Sequence, residues 1–106
     1  MRAKGIVDTK DLLIVALCAD YERRSVALAE GTLPHATEME YKYLNYKIYN
    51  AAAETVGESL AELYIYEIGR RKGYAASKVE SISETTYKLR KSKIKAAIAR
   101  KLNLSC

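Results

Sequence analysis

Apolar residues recur along this chain at the 3.6-residue period of a helix, not the two-residue period of a strand. The first such block runs from Asp8, which can cap it, to about Glu30. Leu13, Ala16, Leu17 and Leu28 lie on its stripe, with Tyr21 and Ala27 nearby. Gly31 is its predicted stop, and Thr32 to Ala36, with Pro34, forms a connector. A capping box, Thr37 with Glu40, predicts a second helix to about Val56. Met39, Tyr43, Tyr46 and Ala53 mark one face of it, widened by Leu44, Ile48 and Ala51. Gly57 is read as a break. Ser59 and Glu62 form another capping box, opening a third helix through Leu60, Leu63, Tyr64 and Ile68 to about Lys72. Gly73 ends that element, and the segment AASKVES leaves room for one short helix.

The last block, Ile82 to Leu102, has the clearest pattern. Ser83 is a suitable N-cap, because its hydroxyl can accept from free N–H groups of the first turn. Glu84 just inside complements the positive end of the helix dipole. At 100° per residue Tyr87, Ile94, Ala97 and Ile98 fall on one side, and Thr85, Lys88, Ser92 and Lys95 on the other. Arg90, Lys91, Lys93 and Lys101 flank the apolar stripe, where their stems can cover apolar surface while their charges reach outward. The expected fold is therefore all-α: a compact bundle of four to five helices in a single domain, residues 1–106. It has a helical, acidic front part (1–72) and a basic, helix-turn-helix-like part (73–104). Residues 1 to 7 are read as a loose arm.

Composition supports this reading. The 106 residues are 49% hydrophobic, enough for one core, and contain one Pro and five Gly. Charge adds something the periodicity does not show. Residues 1–69 carry seven Lys/Arg against eleven Asp/Glu, a net of −4; residues 70–106 carry eleven against two, a net of +9. A basic patch attracts phosphates and speeds encounter with a polyanion. A charge run of this kind also serves solubility alone.

Other chemistry is sparse. Cys18 sits in an apolar run and is read as a small buried hydrophobe; Cys106 is the last residue, and neither has a CxxC partner or a nearby histidine. A disulfide between them stays open, but the pattern fits a reducing compartment better. The run LLIVALCA is too short to span a bilayer, and Asp8 and Asp11 stand where a signal peptide needs apolar residues. No membrane partner and a cytoplasmic location are expected. His35 lies in a Pro-containing loop without a carboxylate or cysteine at ligand spacing, so no metal is expected. No triad is ordered and no glycine-rich phosphate loop is present; neither an enzyme nor a cofactor is expected.

Nine tyrosines stand in a chain without Phe or Trp, and Tyr41, Tyr43, Tyr46 and Tyr49 crowd the second helix. Stacking on unpaired bases is one use for them. Tyr43 and Tyr46 share the apolar stripe and are expected in the core and at its rim. Tyr41 and Tyr49 are then the candidates for a partner surface, including a homodimer through this helix.

Ile82, Ser83, Thr86 and Tyr87, followed by the basic run and by Ile98, Ala99 and Leu102 to Leu104, resemble the C-terminal helix-turn-helix of phage-encoded ArpU/RinA-type transcriptional regulators. The resemblance covers about Ser77 to Leu104. It implies a DNA-binding regulator of transcription acting on duplex DNA. Thr85, Lys88 and Ser92 would then face base edges, with Glu84 as an acceptor for a cytosine amine. Arg70, Arg71, Lys72, Lys78, Lys91, Lys93 and Lys95 would contact phosphates. The alternative is a small phage protein that docks on a host nucleoprotein machine, its basic helix meeting an acidic protein surface.

Overall fold

The structure is a computed structural model, and it describes residues 9–77 and 81–104. All of its regular elements are helical: α1 (Thr9–Ala19), α2 (Tyr21–Glu30), α3 (His35–Val56), α4 (Glu58–Gly69), a single 3-10 turn (Tyr74–Ala76) and α5 (Glu84–Lys101). The expected all-α bundle is what the chain forms. Asp8, the arm before it, Lys78 and Cys106 lie outside the described residues.

The block expected as one helix to Glu30 is two. The backbone opens at Asp20 (φ −94°, ψ 4°). The break lets α1 pack on α4 and α5 while α2 turns to pack on α3. Arg24 holds this elbow from inside: its Nη2 donates to the Leu17 carbonyl at 2.6 Å and its Nε to Asn45 Oδ1 at 2.6 Å. Asn45 Nδ2 in turn donates to the Tyr21 carbonyl and to Ser25 Oγ. Arg24 is 3% exposed, and its partners are neutral oxygens. Burial lowers its pKa from the usual arginine value, because the charged form loses water and the nearby Asp20 charge offsets only part of that loss.

Helix ends differ from the expected boxes. Pro34, not Thr37, occupies the N-cap of α3, and Gly57 precedes α4, so neither Thr37 nor Ser59 caps its helix by a side-chain bond. Gly57 does break the chain as read, with φ 91°, a conformation that L side chains rarely adopt. Gly31 closes α2 in the left-handed conformation. α4 stops at Gly69, short of the expected Lys72. Arg71 turns left-handed (φ 55°), Lys72 N–H bonds back to the Glu67 carbonyl, and this backbone closure ends the helix before Gly73 is reached. Asn103 (φ 58°) and Leu104 end α5 in the same way.

One core joins α1, α3, α4 and α5. Ile14 and Cys18 enter from α1, Ile48, Ala51 and Ala52 from α3, and Ala61, Tyr64, Ile65 and Ile68 from α4. Tyr87, Ile94, Ala97, Ile98 and Ala99 enter from α5. Each fully buried isoleucine contributes about 1.5–3 kcal/mol by leaving water. On α1 the buried stripe is Ile14 and Cys18, while Leu13 and Ala16, expected on it, are exposed. Cys18 is a free thiol, and burial pushes its pKa up to about 12, so it stays protonated and inert.

On α3 the buried side is rotated from expectation: Ile48 and Ala51 are inside as expected, but the centre of the expected face is not. Tyr41, Asn45, Ile48 and Ala52 turn inward or half inward, and Met39, Tyr43 and Tyr46 face solvent. A polar Asn can lie on the buried side because Arg24 supplies its partner there. Tyr41, half-buried, takes a bond from Arg23, and Tyr49 packs against the core, so these two are not the open tyrosines of the helix.

Candidate functional site

The last helix starts where its sequence says it should. Ser83 Oγ accepts from the Thr86 N–H at 3.2 Å, satisfying one of the donors the first turn leaves free. Ser83→Ala should cost about 1 kcal/mol of stability, read as a lower urea midpoint with unchanged slope. Tyr87, Ile94, Ala97 and Ile98 are all buried, which anchors α5 along one stripe. Tyr87 locks the helix start: its hydroxyl donates to Glu67 Oε1 at 2.7 Å, and its ring lies 5.9 Å from those of Tyr64 and Tyr74. Burial, and the Glu67 carboxylate that accepts its proton, push the phenol up to about 12.

The opposite side of α5 is open. Thr85, Leu89, Ser92, Lys93, Ala96 and Arg100 are exposed there, with Glu84 and Lys88 at its edge. Leu89 is 52% exposed, at the centre of the row. Ser92 and Ala96 are short, so a ligand can approach the helix backbone between the longer side chains. Lys88 and Glu84 pair at 2.9 Å across one turn, both well exposed. A pair of that kind holds weakly and exchanges readily for another anion. Lys93 and Arg100 line a recess with Glu54 and Thr55 of α3.

Among the residues expected to bind DNA, the structure brings Glu84, Thr85, Lys88, Ser92 and Lys93 onto this one face. It removes others. Lys95, expected outward, reaches across to α1 and pairs with Asp11 at 2.9 Å. Lys91 is half-buried, donates to the Lys72 carbonyl and lies 5.0 Å from the Tyr87 ring centre. Burial, with Lys95 nearby, lowers its pKa from the usual lysine value. Both amines are thus spent on holding α5 to the rest of the molecule. Arg70 and Lys72 stack on Tyr66, at 4.7 and 5.5 Å from its ring centre. Arg70 borders recesses shared with α1 and α2, away from the open row of α5. Arg71 is exposed in the turn after α4. Lys78 lies outside the described residues.

Leu89, Ala96 and Arg100 were missed as members of the face. Continuing the 100° rotation from Thr85 through Leu89, Ser92 and Ala96 to Arg100 would have found them. The helix-turn-helix outline also changes. Between Gly69 and Glu84 the described residues hold only the three-residue 3-10 turn Tyr74–Ala76 where a short helix was expected ahead of the last one, and residues 78–80 of that segment lie outside the described residues.

Among the described residues no helix is long and apolar enough to cross a membrane, and no three His, Cys, Asp or Glu side chains come together as a metal site. No protein-family model, no curated protein and no solved structure matches this chain.

Proposed function

We propose that the open face of α5 binds duplex DNA and that the chain is a DNA-binding transcriptional regulator of the phage type. The observation that carries this reading is the make-up of the face. Lys88, Lys93 and Arg100 stand along a supported helix, with the short Thr85, Ser92 and Ala96 between them and Glu84 as the one acid in the row. A helix of 18 residues is about 27 Å long, enough to follow a major groove. Lys93 and Arg100 hold phosphates in this reading, and Thr85 and Ser92 reach base edges with Lys88 beside them. Docking is by a single helix braced from behind by the core, with only the 3-10 turn Tyr74–Ala76 among the described residues between α4 and α5.

The exposed Leu89 in the middle of the row favours a second reading, an acidic protein surface with an apolar spot at its centre. Salt separates the two. Titrated into labelled duplexes by fluorescence anisotropy, a protein holding two phosphates should lose affinity with a log–log slope of about −1.8 against salt. Lys93→Glu with Arg100→Glu should weaken binding about 100-fold at low salt while leaving the helical signal intact, since both residues are exposed. Preference for one duplex sequence supports a regulator. No binding at low salt, or binding indifferent to the double reversal, sinks the DNA reading and turns attention to a protein partner.

A further inference from the structure

Along the outer side of α3, Ala36, Met39, Tyr43, Tyr46, Asn50 and Ala53 follow one another at alternating steps of three and four residues. That alternation is the seam of a two-stranded coiled coil, with Ala36, Tyr43 and Asn50 at one of its two core positions and Met39, Tyr46 and Ala53 at the other. Ala36, Met39, Tyr43 and Tyr46 are exposed, Tyr46 at 64%, and Asn50 and Ala53 are half-buried. Leu28 of α2 borders the Met39–Tyr46 stretch, which widens the apolar strip into a groove. Ala53 packs against the monomer's core, but the core does not take in Met39, Tyr43 or Tyr46, so folding alone does not account for the exposed part of this row.

We propose that α3 pairs through this seam with α3 of a second copy, running antiparallel. Charge selects both the occupant and the direction. The residues flanking the seam are Glu40, Lys47 and Glu54 on one side and His35, Lys42 and Tyr49 on the other. In a parallel pair Lys42 of each copy meets Lys47 of the other, two like-charge contacts. Reversed, with Tyr43 opposite Tyr46 of the second copy, Ala36 meets Ala53 and Glu40 meets Lys47, and two-fold symmetry repeats each match. The flank is thus complementary to itself in one orientation. Asn50 then faces Met39 instead of another Asn50, and the four oppositely charged partners outweigh that mismatch. Lys47 is already at the seam, its ammonium 5.5 Å from the Tyr43 ring centre.

Sedimentation velocity on the full chain, without DNA, tests this independently of the reading of α5. The chain should sediment as a dimer of its 11.9 kDa mass. Tyr46→Lys, at a solvent-facing position, should keep the helical signal and weaken the dimer about 100-fold. Lys47→Glu alone should weaken it by placing like charges together, and adding Glu40→Lys should restore it. A chain that stays monomeric at submillimolar concentration overturns the proposal and leaves the seam to a different partner. A dimer that withstands Tyr46→Lys uses another face and overturns it as well. Strengthening by Lys47→Glu overturns the antiparallel direction, because that is the response of a parallel pair.

Discussion

Gly69→Ala should destabilise the protein by about 1–3 kcal/mol, although glycine to alanine inside a helix ordinarily gains about 1 kcal/mol. A Cβ placed on Gly69 falls 2.7 Å from the Ala19 Cα and N atoms and 2.9 Å from the Cys18 carbonyl carbon. These are backbone atoms at the C-terminal end of α1, so no side chain can rotate away. Either α1 or α4 has to withdraw, and the withdrawal opens the packing around Cys18 and Ile68. Gly69→Val adds two more methyl groups to the same contact and should cost more still, a large fraction of the total stability of a domain this size. Urea denaturation followed by far-ultraviolet circular dichroism measures both. A higher midpoint for Gly69→Ala would refute the close approach of α1 to α4.

Arg24→Met should cost about 3 kcal/mol. The substitution keeps the apolar stem but removes the donors that serve Asn45 Oδ1 and the Leu17 carbonyl, leaving both acceptors inside without a partner. It also frees the elbow at Asp20, because the guanidinium is what ties the end of α1 to α3 through α2. Asn45→Leu on its own should be costly too, since it leaves the Arg24 Nε–H inside without an acceptor and removes the bond to the Tyr21 carbonyl. The decisive comparison is the double substitution. Arg24→Met with Asn45→Leu replaces both partners by apolar groups and should be milder than the sum of the two single changes. Strict additivity in denaturant titrations would mean that the pair is not the connection described here.

The α5 stripe was legible from the chain alone because every signal there agreed: a capping serine, an acid in the first turn, and apolar residues at one helical spacing. The same wheel put Lys91 on the flank and Lys95 outward without showing what their amines meet. Periodicity says which way a side chain leaves its helix, but not that Asp11, 84 residues away, stands within 2.9 Å of the Lys95 amine, or that the Lys72 carbonyl waits for Lys91. On α3 two sides compete. One carries Met39, Tyr43 and Tyr46, the other Tyr41, Asn45, Ile48 and Ala52. The second carries a polar Asn, yet it is inside, and Arg24 arrives from another helix to satisfy that Asn45.

What the chain by itself determined is the helical class, the stops at Gly31 and Gly57, the cap at Ser83 and the buried stripe of α5. These depend on backbone preferences and on neighbours within one or two turns, which are written in adjacent residues. Only the tertiary structure decided that the first block bends at Asp20, which side of α3 is buried, and which cations stay on the open face of α5. Each of these depends on a partner brought from another helix. A buried hydrogen bond or an ion pair across the bundle has a value that no local pattern encodes.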